Sequence, residues 1–141
     1  MSHTFRMSYY EYARKHYRLR EDAVFIDSHA SSDLGGNLYY IARQIVSGRY
    51  GKFKLYISVR DLEHLPQNVQ LLQREFPSAG IKLIIQESRA KYYALAVSKY
   101  LFTDVQLSRF YVKRPGQVIV QTWHGTPLKK LGYSYAEDVA F

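Results

Sequence analysis

The chain has 141 residues and no cysteine, which excludes disulfides and thiolate-ligated metals. No apolar run approaches the roughly 20 residues that a membrane-spanning helix requires. Met1–Arg20 is too polar, and too rich in tyrosine and arginine, for a secretory signal. The sequence therefore predicts a protein that stays in the cytoplasm. No two histidines lie at metal-ligand spacing with a carboxylate, so neither metal nor cofactor is expected. Internal repeats and low-complexity stretches are also missing. What is present is the composition of a folded domain, 47% hydrophobic and 23% charged, in a chain long enough to bury a core.

Negative charge is scarce and unevenly placed. Against 20 Lys+Arg there are 12 Asp+Glu, giving a net charge of +8. Residues 89–131 carry eight basic residues and a single acidic one, Asp104. Such a field suits a phosphorylated substrate, an anionic membrane surface or nucleic acid, and it is equally the pattern of a solvated basic face.

Hydrophobic periodicity alternates strand with helix. Ala23–Ser28, Phe53–Val59, Ile81–Gln86, Tyr100–Thr103 and Val118–Thr122 read as strands. Asn37–Ser47 carries Leu38, Ile41, Ala42 and Ile45 at i, i+3, i+4 and i+7. Pro66–Phe76 and Arg89–Ser98 are the other helical connections, which favours an α/β fold: a parallel sheet with right-handed crossovers and helices on both faces. Ser108–Gln117 is the expected long loop. Ahead of the sheet, Met7–Arg20 reads as a basic helix edged with tyrosines. It suits an anionic membrane surface, but its lack of aliphatic residues favours docking on the domain's own flank.

In a parallel sheet, ligands bind outside the carboxyl ends of the strands. Two loops there have the right content. Ser28-His-Ala-Ser-Ser-Asp-Leu-Gly-Gly-Asn37 is small, polar and glycine-containing, and Ser28, Gly36 and Asn37 are candidate substrate contacts. It carries no phosphate-binding fingerprint, and a plain turn capped by Asn37 is the competing reading. His29 is either a second acid–base group or a surface histidine. The other loop is Gln121-Thr-Trp-His-Gly-Thr-Pro-Leu-Lys-Lys-Leu-Gly132. It sets His124 and Gly125 between the last strand and a helix start at Thr126-Pro127. Trp123 is expected to anchor in the core.

This last segment, with Tyr111-Val-Lys-Arg-Pro-Gly-Gln117 before it, resembles the signature of the CDP-glycerol glycerophosphotransferases, which build teichoic acid and related cell-wall or capsule polymers. The resemblance is dense over 111–132 and looser back to about Ala23. It implies a Rossmann-like domain similar to the N-terminal half of a GT-B glycosyltransferase, with residues 1–22 as the preceding helix, 23–141 as the acceptor-side domain, and a further donor-binding domain that is absent here. It implies a CDP-activated polyol donor, a lipid-linked polyol-phosphate acceptor and a catalytic part for His124, with Gly125, Thr126 and the basic turn at Arg114 near substrate. An imidazole titrating near pH 6.5 can take a proton from an attacking hydroxyl. Asp104 stands where an asparagine is expected. The alternatives are a non-catalytic basic module for anionic lipid or nucleic acid, although no specific nucleic-acid motif is present, and an inactive remnant.

Overall fold

Val24, Phe25 and Ile26 are buried on consecutive positions, which an alternating strand cannot achieve unless both sheet faces are covered. The computed structural model, which describes residues 2–123, shows how this comes about. Five strands, β1 (Arg20–Asp27), β2 (Lys54–Val59), β3 (Gly80–Ile85), β4 (Ser98–Thr103) and β5 (Val118–Gln121), form one parallel sheet in the order β3-β2-β1-β4-β5. Helices α2 (Gly36–Val46) and α3 (Gln67–Glu75) cover one face, over Val24, Ile26, Leu55 and Ile57. Helices α1 (His3–His16) and α4 (Arg89–Val97) cover the other, over Phe25, Tyr56 and Leu101.

The split follows from handedness. The chain moves one way from β1 through β3 and then jumps back past β1 to β4. Right-handed crossovers in opposite directions must lie on opposite faces. Strand order therefore reverses between β1 and β4, which stay paired to Asp27 and Thr103, and the connections leaving their carboxyl ends separate to leave a crevice.

The predicted strands and α2 to α4 form within a few residues of their expected ends, and the parallel sheet with helices on both faces is the fold observed. The amino-terminal helix differs. It runs over His3–His16, not 7–20, because Ser2 caps it by accepting from the Phe5 N–H at 3.3 Å. Arg20–Asp22 already belong to β1, with Arg20 paired to Ser98. The helix docks on the domain through the fully buried Tyr10 and Ala13. Burial raises the Tyr10 phenol above its ordinary pKa, so it stays protonated and donates to the Val112 carbonyl at 2.9 Å. Among the described residues no helix is long and apolar enough to cross a membrane.

The long loop before β5 is held by Gln117. Its buried amide donates to the carbonyls of Leu95 and Ser98, and its Oε1 accepts from the Tyr111 hydroxyl and the Arg114 N–H. On the α2 side, Val118 and Val120 pair with Tyr100 and Phe102 and remain over a third exposed. Leu101→Ala should cost about 2–5 kcal/mol by cavity formation, whereas Val118→Ala should stay within about 0.5 kcal/mol. Chemical denaturation of the two variants measures the contrast; equal losses would mean that the outer face of β5 is packed.

Candidate functional site

The end of β1 enters an unusual turn. Two 3-10-type bonds, Ser31 N–H to Ser28 O and Ser32 N–H to His29 O, close over His29–Ser31. His29, Ala30 and Ser31 have φ of 46°, 51° and 66°. Left-handed backbone costs an L-residue roughly 1–2 kcal/mol, and three in succession persist only where the surroundings hold them.

A buried polar network does so. Asp104, at the end of β4, accepts the His29 N–H at 2.8 Å and the Ser28 hydroxyl at 2.9 Å. The Ser28 oxygen in turn accepts from Gly35 N–H at 3.3 Å. One residue back, Asp27 accepts from Ser31 Oγ at 3.0 Å and from Lys91 Nζ at 2.7 Å. Because the Ser31 proton goes to Asp27, the 2.7 Å contact between Ser31 and Ser58 has Ser58 as donor. Asp27, Ser28, Ser31, Ser58, Lys91 and Asp104 are all buried. Burying both charges of Asp27 and Lys91 is tolerable only because they pair.

Beside this network lies a cleft of about 310 Å³ bounded by His29, Gly35, Gly36, Asn37, Asp104, Thr122 and Trp123. The geometry favours both glycines. A Cβ on Gly35 would lie 3.0 Å from His29 Cε1, and Gly36 has φ +53°. The cap position of α2 is Gly35, not Asn37, and no side chain caps the helix. Asn37 lies one residue inside the first turn, too far along for the competing reading of a turn capped by Asn37. An uncapped helix start without acidic residues leaves N–H groups toward the cleft, an arrangement that favours anions.

Ser28, Gly36 and Asn37 are thus brought to one place, at the carboxyl edge reached by the end of β5. Thr122 N–H donates to Thr103 O at 2.9 Å and extends the β4–β5 pairing to the cleft. His124, Gly125 and Thr126 follow directly but lie outside the described residues. Arg114 does not join the group. It sits at the amino ends of the strands, where its guanidinium donates to Ala96 O at 2.8 Å and Tyr17 O at 2.9 Å, tying α4 to the end of α1. Trp123 is not a core anchor either: it is 58% exposed, with a left-handed φ of 55°, and borders the cleft. Asp104 and the Asp27–Lys91 pair are the functional-edge residues that sequence reasoning missed. Their only signal was a carboxylate at the end of a strand. Among the described residues no group of three His, Asp or Glu could hold a metal.

Removing one partner of the buried pair should be costly. Asp27→Ala is expected to lose about 3–5 kcal/mol by stranding Lys91, and adding Lys91→Met should recover most of it. Denaturation of the single and double variants decides; a double variant no more stable than Asp27→Ala would show that the pair is not what couples β1 to α4.

Comparison with known proteins agrees with this architecture. The family described as CDP-glycerol:poly(glycerophosphate) glycerophosphotransferase matches residues 8–140. A variant of the wall teichoic acid polymerase TagF superposes with a TM-score of 0.74 at 17% identity, over 91% of this chain and 28% of that one. A second TagF variant, soaked with CDPG, gives 0.73 at 16% identity over 91% and 29%. A further structure of TagF gives 0.72 at 17% identity over 89% and 28%. The chain thus spans less than a third of the length of these structures. No curated protein matches it by sequence.

Proposed function

This chain belongs to the CDP-glycerol:poly(glycerophosphate) glycerophosphotransferase family, and from that premise we propose that it forms the acceptor-side part of a transferase moving polyol phosphate from a CDP-activated donor to a lipid-linked polyol-phosphate chain. The observation that carries the reading is the cleft at the strand-order reversal, with an uncapped helix start on one wall and, on the other, Thr122 and Trp123, which immediately precede His124 in the sequence. The soak of TagF with CDPG supports a CDP-linked donor.

In this reading a terminal hydroxyl of the acceptor attacks the phosphorus that bears the donor's polyol. The new P–O bond forms as the bond to the bridging oxygen breaks, and CMP leaves with that electron pair. The hydroxyl proton passes to His124. Gly125 and Thr126 contact the transferred phosphate, and the N–H groups opening on Gly36 and Asn37 take up phosphate charge. Ser28 lies beneath, shaping the floor through Asp104 and Gly35. In the transferase containing this domain, His124→Ala should lower CMP release from CDP-glycerol by about 10²-fold or more. Unchanged turnover would remove His124 as the base.

A peripheral membrane contact is supported by the outer face of α1 and its end, where Phe5, Met7, Tyr12 and Tyr17 are exposed beside Arg14 and Lys15. The protein should sediment with anionic vesicles and come off as salt rises, since screening shortens the reach of surface charge to about 8 Å at physiological ionic strength. Equal binding to neutral vesicles would count against it.

A further inference from the structure

Where the cleft touches the start of α2, a smaller pocket of about 160 Å³ touches α4, on the other face of the sheet. Asp27, Ala30, Gln86, Lys91, Gln106 and Ser108 help to line it. Asp27 ends β1, Gln86 follows β3 and Gln106 follows β4, so the pocket belongs to the carboxyl edge, where parallel sheets bind ligands. His29 borders the cleft and Ala30 the pocket, which makes the left-handed turn a wall common to both.

Stability does not account for the Asp27–Lys91 pair in this lining, since hydrophobic side chains of similar volume commonly fill such a place as well or better. Lys91 is moreover the third residue of α4, in a first turn with no acidic residue, where the helix dipole disfavours a cation. What the pair has, and hydrocarbon lacks, is spare hydrogen-bonding capacity. The Lys91 ammonium carries three hydrogens and gives one to Asp27 Oδ2; among the described residues no acceptor takes the other two. The Asp27 carboxylate accepts from Ser31 Oγ and Lys91 Nζ, which fills two of its roughly four lone-pair sites.

A donor and an acceptor side by side, with charges that cancel, suit a hydroxyl, which gives and takes hydrogen bonds at once, and offer an anion no net attraction. The space is below the roughly 300 Å³ at which drug-sized ligand sites begin, so it admits a unit of a few heavy atoms. We propose that this pocket is a second subsite of the same edge, in which Lys91 donates to, and Asp27 accepts from, the hydroxyls of a small neutral polyol such as one glycerol unit. Assigning that unit to the chain whose phosphate enters the cleft rests on the transferase reading. The pocket's preference for hydroxyl over anion does not.

The test follows amide ¹H–¹⁵N spectra of the chain through titrations with glycerol, propan-1-ol and inorganic phosphate. Glycerol should shift the amides of Ala30, Gln86 and Val105, which line the pocket. Propan-1-ol, with the same carbons and a single hydroxyl, should leave them nearly unmoved, and phosphate should act at Gly36 and Asn37 instead. Asp27→Asn combined with Lys91→Met removes both charges at nearly constant volume. With a dispersed amide spectrum confirming its fold, this variant should bind glycerol about tenfold or more weakly, the worth of a hydrogen bond to a charged group. Gln86→Leu alters a side chain that holds nothing in the fold, and should weaken glycerol about twofold or more, the lower worth of a neutral bond. The proposal is overturned if glycerol leaves the three pocket amides unmoved, if propan-1-ol or phosphate moves them as far, or if both variants bind glycerol undiminished. Should phosphate still act at Gly36 and Asn37 in such a case, the cleft reading stands and the pocket alone is misassigned. Should glycerol find the pocket while phosphate leaves Gly36 and Asn37 unmoved, the polyol site stands and the transferase reading loses the observation that carries it.

Discussion

Asp104 is the group on which the functional edge depends. Its carboxylate reaches from the end of β4 across the strand-order reversal to the backbone just beyond β1, 75 residues earlier in the chain. Parallel pairing sets where β1 and β4 end, but pairing alone would leave the loop after β1 free to choose among turns. Charge-assisted bonds to His29 N–H and Ser28 Oγ make that choice, and they offset backbone that is intrinsically unfavourable. The Asp27–Lys91 pair braces the same junction from the α4 side, so the turn is gripped by both neighbours of β1 and by the helix behind it.

The sheet was legible because its signals are local. Apolar runs of the right length, helical stripes such as Leu38 to Ala42, and glycines at 48 and 80 can all be read along the chain. The cleft was half legible. The Ser28–Asn37 loop could be placed at the carboxyl edge by the parallel topology, and the structure does bring Ser28, Gly36 and Asn37 together there. The left-handed turn could not be foreseen, since no glycine marks it and its causes are distant in sequence. Asp104 read only as an asparagine gone missing, and Lys91 was not singled out among the eight basic residues of 89–131. Both acquire meaning from long-range partners that a single sequence does not print.

Arg114 illustrates the opposite error, in which proximity to a motif along the chain was taken for proximity in space. Arg114 precedes β5, so a strand's length separates it from the cleft bordered by Thr122 and Trp123. The guanidinium serves as a clamp on two backbone carbonyls at the strand starts, a role that depends on its planar fork of donors more than on its charge.

The uncovered side of β4 and β5 has a consequence for how the molecule behaves in bulk. Val24, Tyr40, Ile41, Ile45, Phe53 and Tyr100 border an apolar trough of about 720 Å³ beside a four-residue edge strand. None of the described elements lies over Val118 and Val120. In dilute buffer the net charge of +8 keeps copies of the chain apart. As ionic strength rises, that repulsion weakens, while the apolar trough and the edge of β5, which no described element covers, do not change. Among the described residues, then, nothing but Coulomb repulsion holds this face away from its copies, and added salt should favour self-association through it.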